Sequence, residues 1–153
     1  PKGKGPDDAM KYVKQAAENG NPKAQYDIGC MHETGTNIGI EQDFKEARRY
    51  FRLATKKHYG PAYFKLGQMY LYSDRGAVKN YKVASKHFKN GIELGGGDLD
   101  CMFHLGKILV EGSVEPPFKV DKVKGTEYIR RASTKGYEKA TAYLKDMDVL
   151  PVH

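Results

Sequence analysis

Apolar and polar residues recur along this chain in short blocks with the spacing of helices. Glycine, proline and asparagine separate the blocks. In Ala47-Arg48-Arg49-Tyr50-Phe51-Arg52-Leu53-Ala54 the apolar and aromatic residues stand at i, i+3, i+4 and i+7, which defines one buried face of an amphipathic helix. The block returns as Ala84-Ser85-Lys86-His87-Phe88 with Gly91 where Ala54 stands, and as Gly125, Tyr128, Ile129 and Ala132. An opening copy is Ala9, Tyr12, Val13 and Ala16. A second block, Ala62-Tyr63-Phe64-Lys65-Leu66-Gly67-Gln68-Met69-Tyr70, recurs as Ala24-Gln25-Tyr26-Asp27-Ile28-Gly29, as Cys101-Met102-Phe103-His104-Leu105-Gly106, and more weakly as Ala140-Thr141-Ala142-Tyr143-Leu144. Its copies start at 24, 62, 101 and 140, a period of 38 or 39 residues. A fixed period of that size predicts a stacked array of helical hairpins rather than one closed core.

If the second block is a helix A and the first a helix B, the order is one B, three A–B pairs and a final A, about eight helices in all. Asp43, Asn80 and Asp121 stand just before three B helices as N-caps, with Glu46 three residues after Asp43 in a capping-box arrangement. Gly5 holds the same offset in the first copy, and Pro6 takes the first helical position. Gly20, Gly95 and Gly136 end B helices as left-handed C′ residues would; His58 stands there in the second copy, so its turn should differ. Small residues mark close approach between helices: Ala24, Ala62, Gly29, Gly67 and Gly106 on A, and Ala16, Ala54, Gly91 and Ala132 on B. Phe51, Phe88, Leu66, Tyr70 and Ile129 should fill a continuous core between them. This gives a flexible leader 1–5, a repeat domain 6–147 and a tail 148–153. The domain divides into a half-repeat 6–20, repeats 21–58, 59–97 and 98–136, and a half-repeat 137–147.

Composition adds little to this picture and removes several alternatives. The mean hydropathy of −0.70 and the short apolar runs offer no stretch long enough to span a bilayer. The formal net charge of +7 comes from 26 Lys and Arg against 19 acids, spread over every helix as a solvated outer face would be. Cys30 and Cys101 lie in repeat copies one and three, too far apart for a disulfide once helices are stacked between them. Free thiols and the absence of any Asn-x-Ser/Thr signal favour the cytoplasm; a fragment of a larger protein would equally suit the lumen of the endoplasmic reticulum. His32, His58, His87, His104 and His153 are scattered, without metal-binding spacing. His32 stands where Tyr70 does in the next copy and His87 where Tyr50 does, so both read as repeat-position substitutes. Gly95-Gly96-Gly97 lacks the Gly-Lys-Ser/Thr ending of a phosphate loop. No catalytic residue, metal, cofactor or small-molecule substrate is indicated.

The pattern Ala-x-x-x-Leu-Gly-x-x-Tyr, a glycine-bearing loop, an Asp, then Lys-x-Ala-x-x-Tyr-Phe-x-x-Ala and a closing Gly resembles the Sel1-like repeat, a relative of the tetratricopeptide repeats. The likeness runs from about residue 6 to 147. The family's Gly-x-Gly-Val loop survives in part at Gly35-Thr36-Asn37-Ile38-Gly39-Ile40, is eroded at Asp74-Arg75-Gly76-Ala77-Val78, and is expanded at Gly112-Ser113-Val114-Glu115-Pro116-Pro117-Phe118. The resemblance implies an all-α, right-handed α-α superhelix, a solenoid serving as a non-catalytic adaptor between other proteins. Members include quality-control adaptors of the Hrd3 and Sel1L type. Half-repeats at both ends suggest a piece of a longer array.

In such a superhelix the A-helix positions opposite the packed face turn toward the concave surface. Those are Tyr26, Cys30 and Glu33; Phe64, Gln68 and Leu71; Phe103, Lys107 and Val110. A row of Tyr26, Phe64 and Phe103 would then offer rigid aromatic anchors for a peptide or helix of a partner protein. A second reading is polyanion binding, to RNA or an anionic membrane. It would use a basic stripe on the B helices of Arg48, Arg49, Arg52, Lys56, Lys82, Lys86, Lys89, Arg130 and Arg131.

Overall fold

The computed structural model describes residues 6–36, 39–72, 74–112 and 119–149. The leader 1–5, the end of the tail and most of the expanded loop 113–118 lie outside the described residues. Those described form eight α-helices and no strand: α1 (Pro6–Glu18), α2 (Pro22–Thr34), α3 (Phe44–Thr55), α4 (Gly60–Leu71), α5 (Tyr81–Glu93), α6 (Leu99–Glu111), α7 (Lys122–Thr134) and α8 (Glu138–Val149). Each helix packs on the next, most closely within the hairpins α2–α3, α4–α5 and α6–α7. Helices α4 and α6, both A helices, also touch directly, and no two of the B helices α3, α5 and α7 approach as closely.

Local chemistry sets the helix ends. The carboxylate of Asp43 accepts from the N–H groups of Lys45 and Glu46, Asn80 Oδ1 from Val83 N–H, and Asp121 Oδ1 from Lys124 N–H, which satisfies donors that the first helical turn leaves unpaired. The capping box at Asp43 is only half formed. Glu46 turns away to take a bidentate bond from Arg49, while Asp43 N–H donates to the carbonyl of His32 at 2.7 Å. That last bond has counterparts, Asn80 N–H to Tyr70 O and Asp121 N–H to Leu109 O. Loops of different length and sequence thus return the chain to the same carbonyl of helix A in every repeat.

Glycines on A helices sit under large side chains on the paired B helices. A Cβ on Gly29 would lie 2.6 Å from the Phe51 ring, and one on Gly106 would lie 2.6 Å from Ile129 Cγ1. Gly67 faces Phe88 in the same way. A helical glycine costs about 1 kcal/mol relative to alanine; here it lets Phe51, Phe88 and Ile129 reach full burial.

The turns bring one correction. Gly20 and Gly136 are left-handed as expected, but after α5 the left-handed residues are Gly96 and Gly97 (φ +79° and +80°), not Gly95. Gly95 is instead a contact point, since a Cβ there would meet the backbone of Gly60 and the Gly91 carbonyl. At the second turn His58 itself takes φ +57°. Its Nδ1 sits 3.1 Å from the hydroxyl of Tyr63, which donates to the Thr55 carbonyl.

The buried apolar residues also depart from the expected unbroken core, falling into three clusters. The first is Ala17, Ala24 and Ile28; the second centres on Phe51, Leu66 and Met69; the third runs from Tyr63 and Phe88 to Ile129 and Ala140. Helix α4 contributes to the last two. The interior is therefore a chain of interfaces linked through shared helices, as expected where each repeat contacts only its neighbours.

Candidate partner-binding surfaces

The aromatic row predicted for the open inner face is largely consumed in holding the array together. Phe103 is 7% exposed; its ring packs against Tyr137 at 5.5 Å and Tyr143 at 5.9 Å between centroids. Phe64 is half-buried, 4.9 Å from the ring of His104 and 6.0 Å from Phe88. Tyr26 packs on Phe51 and Tyr59. The partners His104 and Tyr143 occupy the same position in the next A helix, one residue further on than the ring they cover. Phe64 and Phe103 pack against rings of the following A helix, and Tyr26 packs against α3 and the turn before α4, so none of the three stands free as an anchor. Aromatic pairs of this kind contribute about 0.5–1.5 kcal/mol beyond the area they bury.

Glu33, also expected on the open face, is 6% exposed. Lys65 Nζ donates to its Oε2 at 2.6 Å and Arg75 Nη1 to its Oε1 at 3.0 Å, joining α2 to α4 and to the loop after α4. Cys30 is half-buried beside the Phe51 cluster, and burial pushes its thiol pKa up. At the other end of the array Tyr143 donates to Glu111 Oε1 at 2.8 Å; burial and that carboxylate raise the phenol to about 12. Tyr137 donates a short bond to Asp100. Of the nine predicted residues, Gln68, Leu71, Lys107 and Val110 remain half-exposed without a structural pairing of this strength.

Leu71 and Lys107 converge on a recess of about 230 Å³ between the C-terminal ends of α4 and α6, lined also by Tyr72, His104, Ile108 and Glu111. Lys107 Nζ lies 5.7 Å from both the Phe103 and Tyr143 rings. Burial lowers the pKa of His104, whose Nδ1 is 2.9 Å from the Asp100 carbonyl. The recess thus presents an apolar side, a cation and a carboxylate at once. Sequence spacing had marked two of its residues and missed Tyr72 and His104.

The basic stripe does not form one continuous track of free charge. Arg48 donates to the Gly76 carbonyl, Arg49 is held by Glu46 and lies 4.3 Å over the Tyr50 ring, and Arg52 donates to the Tyr70 hydroxyl at 3.3 Å. Lys56, Lys82, Lys86, Lys89 and Arg130 are exposed, and Arg131 lies over Tyr128. The α3 cations border a shallow depression of about 420 Å³. Those of α5 join Lys124 of α7 around a separate groove. Among the described residues no group of three or more His, Cys, Asp or Glu could hold a metal ion, and no helix is long and apolar enough to cross a membrane.

A family model described as the Sel1 repeat matches residues 3–21, 22–59, 60–96 and 99–137. The structure is similar to that of a Sel1 repeat protein from Oxalobacter formigenes, with a TM-score of 0.75 and 26% identity over 90% of this chain and 98% of that one. It also resembles c5321, a protective antigen of uropathogenic Escherichia coli strains with an SLR fold, at TM-score 0.76 and 28% identity; the match covers 86% of this chain and 26% of the antigen. A likeness of fold extends to the immunity protein Pa5087 of Pseudomonas aeruginosa, at TM-score 0.56 and 22% identity over 93% of this chain and 52% of that one. No curated protein matches the sequence.

Proposed function

The chain belongs to the Sel1 repeat family, and from that premise we propose that it is a non-catalytic adaptor that binds a segment of a partner protein on its A-helix side within a multiprotein complex. Sel1 repeats are in general scaffolds for protein–protein interaction. One observation supports the location: at the recess of Leu71 and Lys107 apolar surface meets a cation and the Glu111 carboxylate, whose Oε1 is already held by Tyr143 of α8. A partner side chain entering it would gain apolar burial from Leu71 and Ile108 and could be oriented by Lys107 and Glu111, the pairing of pocket and polar rim that anchors protein interfaces.

The test compares proteins captured from cells that make this chain, using the wild type and Leu71→Glu/Lys107→Glu as baits, both first shown to melt alike. Loss of the specific captures in the double variant is expected. Identical captures by both baits would refute the location.

A further inference from the structure

The three B-side grooves of this array are not equivalent, and the difference lies in one sequence position. Each groove runs between consecutive B helices and has an A helix beneath it. In the first, His32 of α2 stacks on Tyr50 of α3, centroids 5.7 Å apart and planes 12° apart. In the second, Tyr70 of α4 stacks on His87 of α5 at 5.7 Å and 16°, and Arg52 reaches from α3 to bond the Tyr70 hydroxyl. The groove between α5 and α7 has Leu109 of α6 where the others have a ring. No ring from α6 there stacks on Tyr128, which is instead approached by its own helix neighbour Arg131. What remains is an open groove of about 320 Å³ floored by Leu105, Leu109 and Tyr128.

Its rim carries one sign of charge. Lys82, Lys86 and Lys89 stand at i, i+4 and i+7 on α5, a row about 10 Å long, and Lys124 faces them from α7. No acidic residue lines the groove. Ser85, 8% exposed, also lines it, and its hydroxyl has no hydrogen-bond partner. Leaving a buried hydroxyl unpaired is costly, and a ligand's backbone carbonyl or carboxylate entering the groove would satisfy it.

We propose that the groove between α5 and α7 is a docking site for an acidic amphipathic peptide segment of another protein, with apolar side chains seated on Leu105, Leu109 and Tyr128 and its carboxylates paired to the four lysines. The apolar floor argues for a peptide over a nucleic acid. A phosphate backbone would use the lysines and leave the floor empty, whereas a leucine or phenylalanine flanked by Asp or Glu uses both. This site is on the opposite side of the array from the recess at Leu71, so it stands or falls independently of the function proposed above.

The experiment is selection of a random short-peptide phage library on the whole immobilised chain, with counter-selection on Leu109→Tyr. That substitution restores the ring found in the sister grooves and closes this one. Enrichment of net-negative peptides with apolar residues three or four positions apart is expected. The strongest peptide, synthesised and titrated by fluorescence polarisation, should lose about tenfold or more in affinity to Lys82→Glu/Lys86→Glu. It should bind more weakly to Ser85→Ala, which keeps the fold and removes only the hydroxyl. Lack of enrichment, enrichment of basic or uncharged peptides, or equal binding by Ser85→Ala and Leu109→Tyr overturns the proposal. So does equally tight binding of a single-stranded oligothymidylate that Leu109→Tyr leaves unchanged, which would make the surface a general polyanion site.

Discussion

The packing of α5 against α6 makes a prediction that can be worked through atom by atom. At the other B-to-A junctions the two equivalent repeat positions are both alanine: Ala16 and Ala24, Ala54 and Ala62, and Ala132 and Ala140. At the third junction the pair is Gly91 and Cys101. Cys101 is fully buried, and a Cβ on Gly91 would overlap its Sγ while lying 3.1 Å from Tyr63 Cβ and 3.2 Å from Cys101 Cβ. The larger residue on one helix is thus accommodated by the smaller on the other. Gly91→Ala gains about 1 kcal/mol of helix propensity and incurs about 1–3 kcal/mol of overpacking. Cys101→Ala alone loses one buried heavy atom, about 1 kcal/mol. Together they rebuild the alanine pair of the sister positions: the overlap with sulfur disappears, the propensity gain remains, and only the 3.1 and 3.2 Å contacts to Tyr63 Cβ and the Cβ at position 101 must relax by a few tenths of an ångström. The double variant should therefore be at least as stable as the wild type, with a favourable coupling of about 2 kcal/mol between the two sites. Urea melts of all four proteins, followed by circular dichroism in reducing buffer, measure that coupling. Additivity within about 0.5 kcal/mol would show that Gly91 is not there to admit the cysteine.

Other consequences are more direct. Phe51, with no exposed surface and Gly29 beneath its ring, should lose about 3–5 kcal/mol on truncation to alanine; a loss under about 1 kcal/mol in denaturant melts would contradict its place in the core. His87 has its pKa lowered to about 4 by burial, with Arg52 and Lys86 adding to the effect. The unfolded chain, titrating near 6.5, therefore binds the proton first, and stability should be full above pH 6.5 and fall by up to about 3 kcal/mol as pH drops through 4. His104, shifted the same way, adds to that loss. His87→Phe should flatten the profile between those values, and an unchanged slope would remove His87 as its source. Burial raises the pKa of both thiols, and Cys101 has no exposed surface. A disulfide reagent should find Cys30 slowly and Cys101 only after unfolding, so rapid titration of both in the native protein would be incompatible with the fold.

Much of this architecture is legible in the sequence because a stacked array repeats its contacts. The 38- or 39-residue spacing gives the helix order, Asp43, Asn80 and Asp121 announce three helix starts, and Gly29, Gly67 and Gly106 mark where an A helix lies under Phe51, Phe88 and Ile129. Even the substitutions at His32 and His87 are readable, since each stands where a tyrosine stands in a neighbouring copy and each proves to be one half of a stacked His–Tyr pair. The inner surface was less legible. Helical angle tells which way Phe64 and Phe103 point from their own axes, but not how near the next A helix runs, and that distance decides whether a ring is an anchor or a filler. Glu33 was misjudged for a related reason: its partners Lys65 and Arg75 lie 32 and 42 residues away, at positions no local pattern connects. The left-handed residue after α5 was displaced from Gly95 to Gly96 and Gly97 because three consecutive glycines leave the choice to packing against Gly60.

These cases follow from one constraint. In a stack each interface is built from the same few positions, so a change at one position must be answered at the position it touches or the array is strained or left open there. Gly91 answers Cys101 with volume. Tyr70 with His87 answers His32 with Tyr50 by exchanging rings across the same contact. Leu109 opposite Tyr128 has no such answer: the ring is missing, and among the described residues no other ring stacks there. Arg52 has its structural counterpart in Lys89, whose nearest acid is Glu93 of its own helix at 3.9 Å, not a group across the groove. An array that compensates at the other junctions and not at this one leaves an apolar groove rimmed by four lysines, with a buried, unpaired hydroxyl in its wall. That combination is what selects the α5–α7 groove, rather than the more numerous cations of α3, as the site where another protein's acidic segment would complete the packing.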